Sequence, residues 1–404
     1  MKKLYALVAS ILLVSASYAQ DCSGSRYYEQ IFSNTISTLD IKYGENYKQD
    51  GTTTQELFMD IYTPEGDTDT DRPVILMAHG GSFIGGTRTD IAENCKAFAK
   101  LGYVAISMSY RLLEINASVL MSPGLEFQKE VVRSMHDMRA AIRYLRKTHA
   151  EDGNPYGINP DIIIVGGYSA GAILANHVAY MDLETEIPSI LTTYVTEQGG
   201  LEGTSGNPGY RSDAQMVLSL CGAIRDTSYM TSGSVPFLGV HNETDNIVPN
   251  IFGQPNVMIT IPVDLYGDSL MYKRALNQGI PADYMMVPTT GHCEFPVTET
   301  FNFVKAFTHE QLCIQGLSIK HSDMILYSVY PNPANETIVI DIPSNQWSSE
   351  IEIYDMMGKL VYNSTISSGQ NVTQIDISTL PQGIYNVQLN STGGRAMTKR
   401  FVKM

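Results

Sequence analysis

The sequence predicts an α/β fold, in which a mostly parallel sheet has helices on both faces, followed by a small all-β sandwich domain. Two observations carry this prediction. Short apolar runs that end in glycine or polar residues are typical of buried parallel strands, and they recur at residues 72–78, 103–108, 161–166, 235–240 and 284–288. After residue 323 the pattern changes to short alternating segments separated by turn residues, which is typical of a small β-sandwich.

The segment that joins the third of these strands to the apolar stretch at 172–179 is the most informative in the chain. The stretch is typical of a helix, and Gly-Tyr-Ser-Ala-Gly at 167–171 precedes it. A serine on so sharp a turn projects its hydroxyl from the edge of the sheet, and the flanking glycines avoid Cβ clashes in the bend. The pattern predicts Ser169 as a nucleophile. The alternative is a serine that occupies a strand-to-helix turn by chance.

Three further segments follow predicted strands and carry the groups that such a nucleophile needs. The first strand leads into His79-Gly80-Gly81, where successive glycines let backbone N–H groups point into a cleft and form an oxyanion hole. Asp245 and His292 follow the fourth and fifth strands. A serine hydroxyl needs a base to take its proton, and imidazole titrates near neutral pH.

With these segments the chain resembles the α/β-hydrolases over roughly residues 35–315. It is most similar to the carboxylesterase and lipase members, whose oxyanion segment is of the HGG type. The resemblance implies a Ser-His-Asp triad in which Ser169 is the nucleophile, His292 the general base and Asp245 the acid that orients it. Residues 109–112 also resemble the Tyr-Arg-Leu segment of these esterases.

The resemblance also implies the groups around the triad. The oxyanion donors of these esterases correspond to the backbone amides of Gly80, Gly81 and Ala170. Ser82 replaces the third glycine of the fuller HGGG form, so its side chain could narrow the hole or hydrogen-bond to it. Phe83 and Tyr168 flank the hole and the nucleophile. With Ser82 they are candidate walls of the substrate pocket, and a place in the core is the alternative for both aromatic residues.

Residues near the triad have competing interpretations. Glu243 is the alternative acid, but Asp245 lies in D-x-x-V-P, the form that this loop takes in relatives. His79 is interpreted as a structural histidine that braces the glycine loop, and His241 as a polar residue at the end of a strand. A metal site built from His241, Glu243, Asp245 and His292 lacks a recognised ligand spacing. We therefore expect no metal and no other cofactor.

The N-terminal residues predict export. Residues 1–19 have the form of a signal peptide, with a positive start at Met1-Lys2-Lys3, an apolar core over 4–14 and small residues at 17 and 19. The apolar core is too short for a transmembrane helix, so no transmembrane segment is expected. The catalytic domain is predicted to cover residues 20–318.

The C-terminal residues predict the export route. Residues 327–404, after a linker at 319–326, resemble the C-terminal sorting domain of the type IX secretion system in Bacteroidetes. The resemblance implies passage through the periplasm, contact with the type IX machinery, and a product that is secreted or attached to the cell surface. A carbohydrate-binding sandwich is the alternative, but Trp347 is the only tryptophan and no aromatic platform is evident.

The composition limits the possible binding partners of the chain and the compartment in which it works. The net charge is −15 with no basic run, which argues against nucleic acid and anionic membranes. The five cysteines, which an oxidising compartment allows to pair, are Cys22, Cys95, Cys221, Cys293 and Cys313. A Cys293–Cys313 bridge is not expected, because a predicted helix between Thr298 and Gln311 would separate its ends by roughly 20 Å. The other pairings stay open.

Three predicted connections, at 112–126, 182–213 and 250–268, are longer than is usual between a strand and a helix. Because ligands bind at the carboxyl ends of the strands in open α/β sheets, we hypothesise that these segments form a partial cap over Ser169. The alternative is that they are surface loops.

The sequence as a whole predicts a secreted serine carboxylic-ester hydrolase that forms an acyl-serine intermediate. Short acyl esters, acetylated or feruloylated polysaccharides, lipids and polyesters are all compatible with these motifs. One alternative is a prolyl-oligopeptidase-like serine peptidase, although the roughly 50 residues before the first clear strands cannot form the propeller that this class usually carries. The other is a non-catalytic cell-surface binding protein on the same fold, which usually lacks one of the triad or hole residues.

Overall fold

The computed structural model describes residues 22, 24–257, 259–314 and most of 324–404, with gaps at 326–327, 332–333, 343–348, 356–358, 368, 392–393 and 397–398. The predicted signal peptide, most of the predicted linker, and Trp347 lie outside the described residues. Within the described residues, no helix combines the length and the apolar character needed to span a membrane.

A large, mostly parallel sheet forms the centre of the first domain. The strands up to residue 290 are β1 (Thr35–Tyr47), β2 (Thr54–Pro64), β3 (Arg72–Ala78), β4 (Val104–Met108), β5 (Ile158–Tyr168), β6 (Met216–Leu220), β7 (Ala223–Ile224), β8 (Phe237–Thr244), β9 (Phe252–Gly253), β10 (Asn256–Val257), β11 (Ile259–Thr260), β12 (Leu265–Gly267) and β13 (Ala282–Thr290). The main sheet has the order β1-β2-β4-β3-β5-β6-β8-β13, while β7-β12-β9 and β10-β11 form two small sheets. β1–β2 and β2–β4 are antiparallel, and every pair from β4 to β13 is parallel. The predicted α/β class is confirmed.

Helices cover both faces of this sheet. They are α1 (Ala92–Ala99), α2 (Ala117–Met121), α3 (Pro123–Glu151), α4 (Ala170–Tyr180), α5 (Thr192–Glu197), α6 (Asp268–Gln278) and α7 (Val297–His309). Along β3, Val74 and Leu76 pack into a core cluster that includes residues of α3 and α4. Ile75 and Met77 point to the opposite face and pack with residues of α1 and α7. Burial on both faces explains why these strands are continuous apolar runs and not alternating ones.

The predicted strands correspond to β3, β4, β5, β8 and β13. β6 is not among the strands predicted from the sequence, although all five of its residues are buried. This strand lies between β5 and β8, so it separates the strand that precedes Ser169 from the strand that leads to Asp245.

The C-terminal residues form small β-sheets, as the predicted sandwich requires. The strands are β14 (Met324–Ile325), β15 (Ser328–Tyr330), β16 (Thr337–Asp341), β17 (Ser349–Asp355), β18 (Leu360–Ile366), β19 (Val372–Asp376), β20 (Gly383–Ser391), β21 (Gly394–Ala396) and β22 (Lys399–Lys403). One sheet has the order β14-β21-β20-β17-β18 with β22 on β20, and the other has the order β15-β16-β19. Ile338 of the second sheet and Ile351 of the first share one buried cluster, so the two sheets enclose a common core.

Two disulfides join distant parts of the first domain. They are Cys22–Cys313 and Cys221–Cys293, and Cys95 is a buried free thiol. Cys293 and Cys313 are not paired with each other, as expected, because α7 lies between them.

Candidate active site

Ser169 lies on a strained turn between β5 and α4. Its backbone has φ +53° and ψ −116°, a left-handed conformation that residues other than glycine rarely adopt. The neighbouring glycines are required by close backbone contacts. A Cβ on Gly171 would lie 2.2 Å from the carbonyl oxygen of Ala78, and one on Gly167 would lie 2.4 Å from the carbonyl carbon of Gly171. The turn therefore presses the start of α4 against the end of β3.

The structure brings Ser169, His292 and Asp245 into one hydrogen-bonded line. The Oγ atom of Ser169 is 2.7 Å from Nε2 of His292, and Nδ1 of His292 is 2.7 Å from Oδ2 of Asp245. The Ser169 residue is 6% exposed, the His292 side chain 22% and the Asp245 side chain 0%. Because a carboxylate only accepts hydrogen bonds, Nδ1 carries the proton of a neutral His292 and Nε2 is free to accept.

Asp245 is held as a carboxylate by donors on both of its oxygen atoms. The backbone amides of Ile247 and Val248 donate to Oδ1 at 2.8 and 3.0 Å. Burial alone would raise the pKa of Asp245, but hydrogen bonds from His241, His292 and Ile247 hold it well below the usual range. The competing carboxylate, Glu243, is exposed to solvent.

The predicted oxyanion segment lies against the nucleophile turn. A Cβ on Gly80 would lie 3.5 Å from Cβ of Ser169 and 3.2 Å from the carbonyl oxygen of Tyr168. Gly81 has φ +117°, and its carbonyl accepts from the amides of Ile84 and Gly85, both at 3.0 Å. Ala170 is the first residue of α4, where backbone N–H groups have no partner within the helix.

His79 braces this glycine segment. Its Nδ1 donates to the carbonyl of Gly80 at 2.7 Å, and its ring stacks on Tyr110 with centroids 4.4 Å apart. The Tyr110 hydroxyl donates to the carbonyl of His79 at 2.8 Å. Burial lowers the pKa of His79, which favours the neutral ring. These contacts match the predicted structural role.

The three residues predicted to line the substrate pocket differ in burial and in their contacts. Phe83 is fully buried and packs edge-on against Phe127 at 5.5 Å, which corresponds to the core alternative. Tyr168 is half-buried, and its hydroxyl accepts from Asn94 at 3.0 Å. Ser82 is also half-buried and has φ +58°. The structure therefore leaves Ser82 and Tyr168 as candidates and places Phe83 in the core.

The second of the three long connections, residues 182–213, contacts α3 and β1 through its glycine-rich part at residues 198–209. Ser205 donates to Asp137 of α3 at 2.7 Å, and its carbonyl accepts from the amide of Glu45 in β1 at 3.0 Å. Asn207 donates to the carbonyl of Tyr43 at 2.7 Å. These contacts make the glycine-rich part of this segment a brace for α3, so the structure does not support it as part of a cap.

Two features next to the triad were not predicted from the sequence. Cys293, which follows His292, is bonded to Cys221, the residue after β6. The available signal was the position of Cys293 beside the predicted base, but the sequence offered no means of choosing its partner. Asp268 was not considered, and it contacts His241 behind the triad.

The described residues near His292 include one group whose ligand atoms lie close together. The only group of described residues close enough to hold a metal consists of Cys221, His292 and Cys293, and both sulfur atoms of this group are in the disulfide. In the set considered from the sequence, Asp245 contacts both His241 and His292, and Glu243 is exposed.

Two families match separate parts of the chain. Residues 59–201, which include Ser169 and the oxyanion segment, match the family BD-FAE. Residues 328–404 match the family described as a secretion system C-terminal sorting domain. The chain therefore joins a region that matches BD-FAE to a region that matches a secretion system sorting domain. The sorting-domain match indicates type IX export, so that the chain is secreted or attached to the cell surface.

Known proteins resemble this chain over part of its length. The non-reducing polyketide synthase pkbA of Emericella nidulans is 31% identical over 129 residues, which are 32% of this chain but only 5% of the synthase. A thermophilic esterase of the Planctomycetes species Thermogutta terrifontis, with propionate bound, is 19% identical with a TM-score of 0.47, over 70% of this chain and 96% of that one. A truncated carbohydrate esterase from gut microbiota is 17% identical with a TM-score of 0.47, over 69% and 97% of the two chains.

Proposed function

We propose that the protein is a secreted serine carboxylic-ester hydrolase that acts through an acyl-serine intermediate. The observation that supports this proposal is the continuous line of hydrogen bonds from Ser169 through His292 to Asp245. The three residues come from three different strand ends, and the base contacts the nucleophile and the acid with different ring nitrogens.

The first half of the reaction acylates the serine. Nε2 of His292 takes the hydroxyl proton as Oγ of Ser169 attacks the ester carbonyl carbon. Asp245 accepts from Nδ1, so it fixes the tautomer and stabilises the imidazolium that forms. The imidazolium then gives its proton to the departing alcohol, and the acyl group remains on Ser169.

Negative charge develops on the carbonyl oxygen during this attack. The backbone amides of Gly80, Gly81 and Ala170 are the proposed donors, because their segments border Ser169. Each such donor typically stabilises the transition state by about 3 kcal/mol. In the second half, His292 takes a proton from water, and the resulting attack releases the acid and restores Ser169.

Hydrolysis of p-nitrophenyl esters from acetate to palmitate tests the proposal. We expect the wild-type protein to hydrolyse at least part of this series and Ser169→Ala to lose the activity by a factor of at least about 10³. Ser37→Ala, which changes an exposed serine of β1, is the matched control and should retain full activity. The chain-length profile distinguishes an esterase from a lipase.

Two outcomes would contradict the proposal. A folded wild-type protein that hydrolyses none of the esters would exclude this substrate class, and peptide p-nitroanilides would then test the peptidase alternative. Equal activity of wild type and Ser169→Ala would show that the hydrolysis does not use this serine.

A further inference from the structure

The hydrogen bonds of the triad continue behind Asp245 into the protein interior. Nε2 of His241 lies 3.2 Å from Oδ2 of Asp245, the same oxygen that contacts His292. Nδ1 of His241 lies 3.0 Å from Oδ2 of Asp268 at the start of α6. The side chains of all three of these inner residues, Asp245, His241 and Asp268, are fully buried.

The contacts of Asp268 identify it as a carboxylate. The hydroxyl of Ser219 is 2.6 Å from Oδ1, and the amide of Gly222 donates to Oδ2 at 2.9 Å. Asn176 donates to the Ser219 oxygen at 2.9 Å, so the serine proton is free to point at Asp268. With His241 as the third donor, Asp268 faces donors at both oxygen atoms. Burial raises the pKa of Asp268, and the hydrogen bonds from His241, Ser219 and Gly222 oppose that shift.

The contacts of His241 identify it as a doubly protonated ring. Nδ1 faces the Asp268 carboxylate, while Nε2 faces Asp245 and also the carbonyl of Val248 at 3.2 Å. Each ring nitrogen therefore has only acceptors as partners, and both must carry a proton to be satisfied. Burial alone would lower the pKa of His241, but hydrogen bonds to Asp245 and Asp268 raise it to about 9.

We propose that His241, held by Asp268, is a positioning residue that, as a cation, fixes the Asp245 carboxylate against His292. The inference rests on the proposed function of the triad. Because Nε2 of His241 and Nδ1 of His292 contact one oxygen at 3.2 and 2.7 Å, they lie no more than about 6 Å apart. The Asp245 oxygen that orients His292 is therefore held from its other side by a charged donor.

The groups that face His241 from the surrounding elements support this assignment. Its own strand and loop contribute Asp245, and α6 contributes Asp268. The cross-strand partner on β13 is Met286, which is uncharged. Tyr180 and Tyr284 lie close enough to Asp268 for its charge to act on them, but burial is the larger cause that raises the pKa of both hydroxyls and keeps them neutral.

The kcat values of His241→Gln and His241→Leu test the proposal. Glutamine can still donate to Asp245, while leucine removes the donor from this side of the carboxylate. We expect kcat to fall about tenfold in His241→Leu with KM nearly unchanged, and His241→Gln to recover most of that loss. Asp268→Asn should also lower kcat, because the His241 ring loses the anion that holds it.

The control is Glu243→Gln, which removes an exposed charge from the same strand and should leave kcat unchanged. Equal losses of kcat in His241→Gln and His241→Leu would overturn the proposal, since a role in packing alone predicts that result. Ring ¹⁵N chemical shifts of His241, assigned by their loss in His241→Gln, give a readout that needs no activity. We expect imidazolium shifts up to about pH 8, and titration near pH 6.5 would overturn the proposal even if the esterase assignment holds.

Discussion

The nucleophile and the base are 2.7 Å apart, but the segments that carry them are held in different ways. The nucleophile side, which consists of Ser169, Gly171 and the oxyanion glycine Gly80, is positioned by contacts between backbone segments. A Cβ on Gly171 would overlap the end of β3, and Gly80 borders Ser169 without a side chain between them. This side has no room for one more carbon atom at Gly171.

The base side, which consists of His292, Asp245 and His241, is positioned by polar side chains and a covalent bond. Asp245 accepts from two backbone amides and two imidazoles, and His292 precedes a disulfide-bonded cysteine. The two sides should therefore lose activity or stability through different kinds of change. Added atoms should damage the nucleophile side, while the loss of a charge or a bond should damage the base side.

The largest effect is expected from Asp245→Asn on the base side. The amide preserves the shape but can present its NH₂ group to Nδ1 of His292, which selects the wrong tautomer for catalysis. We expect kcat to fall about 10⁴-fold. Steady-state kinetics should be measured beside Glu243→Gln, which leaves the network intact and should retain wild-type kcat. A loss of less than tenfold in Asp245→Asn would show that this carboxylate does not orient the base.

The next largest effect is expected from Gly171→Ala on the nucleophile side. Alanine favours helices, but here its Cβ would lie 2.2 Å from a backbone oxygen, so β3 and α4 must separate. We expect the free energy of unfolding to fall by about 3 kcal/mol or more, measured by urea denaturation.

Gly85→Ala is the matched control for this variant, because a Cβ there meets no atom within 4 Å and lies in the same loop as the oxyanion glycines. It should unfold like the wild type. Equal stability of Gly171→Ala and Gly85→Ala would mean that the close approach of the two segments is not required.

The same difference explains how much of the site could be predicted from the sequence. A close backbone contact can be recognised in the sequence, because it requires glycine. The glycines at Gly80, Gly81, Gly167 and Gly171 therefore identified the nucleophile side. Asp245 and His292 were identified because each follows a predicted strand. The fold brings the ends of these strands close together. The contact between His241 and Asp268 joins residues 27 apart through the order of the sheet, and no local spacing encodes it.

The fold, like the site, could be predicted from the sequence only where a local pattern encodes it. The parallel strands were identifiable because burial on both faces makes them continuous apolar runs. The contacts of the glycine-rich segment with α3 and β1 could not be predicted, because they join residues that are 59 or more apart in the chain. Polar contacts between distant segments follow from the assembled fold and from no single stretch of sequence.

The disulfide next to His292 links the two sides of the site and gives the smallest of the expected effects on catalysis. Leu220, the last residue of β6, accepts a hydrogen bond from the amide of Ser169 at 2.9 Å, and the next residue, Cys221, is bonded to Cys293. The bridge therefore fastens the segment of the base to the strand beside the nucleophile. In Cys221→Ser/Cys293→Ser we expect the free energy of unfolding to fall by about 2–4 kcal/mol and kcat to fall about tenfold.

The second disulfide provides the matched control. Cys22→Ser/Cys313→Ser removes a bridge that ties the segment before β1 to the residues after α7, so it should lower stability but leave kcat unchanged. Urea denaturation and kcat at a temperature where all variants are folded separate the two quantities. If both double variants lose stability and neither loses kcat, the hydrogen bonds of Asp245 alone are sufficient to hold His292 on the nucleophile. The base side would then depend on charge and hydrogen bonding, and the covalent bond would serve only the fold.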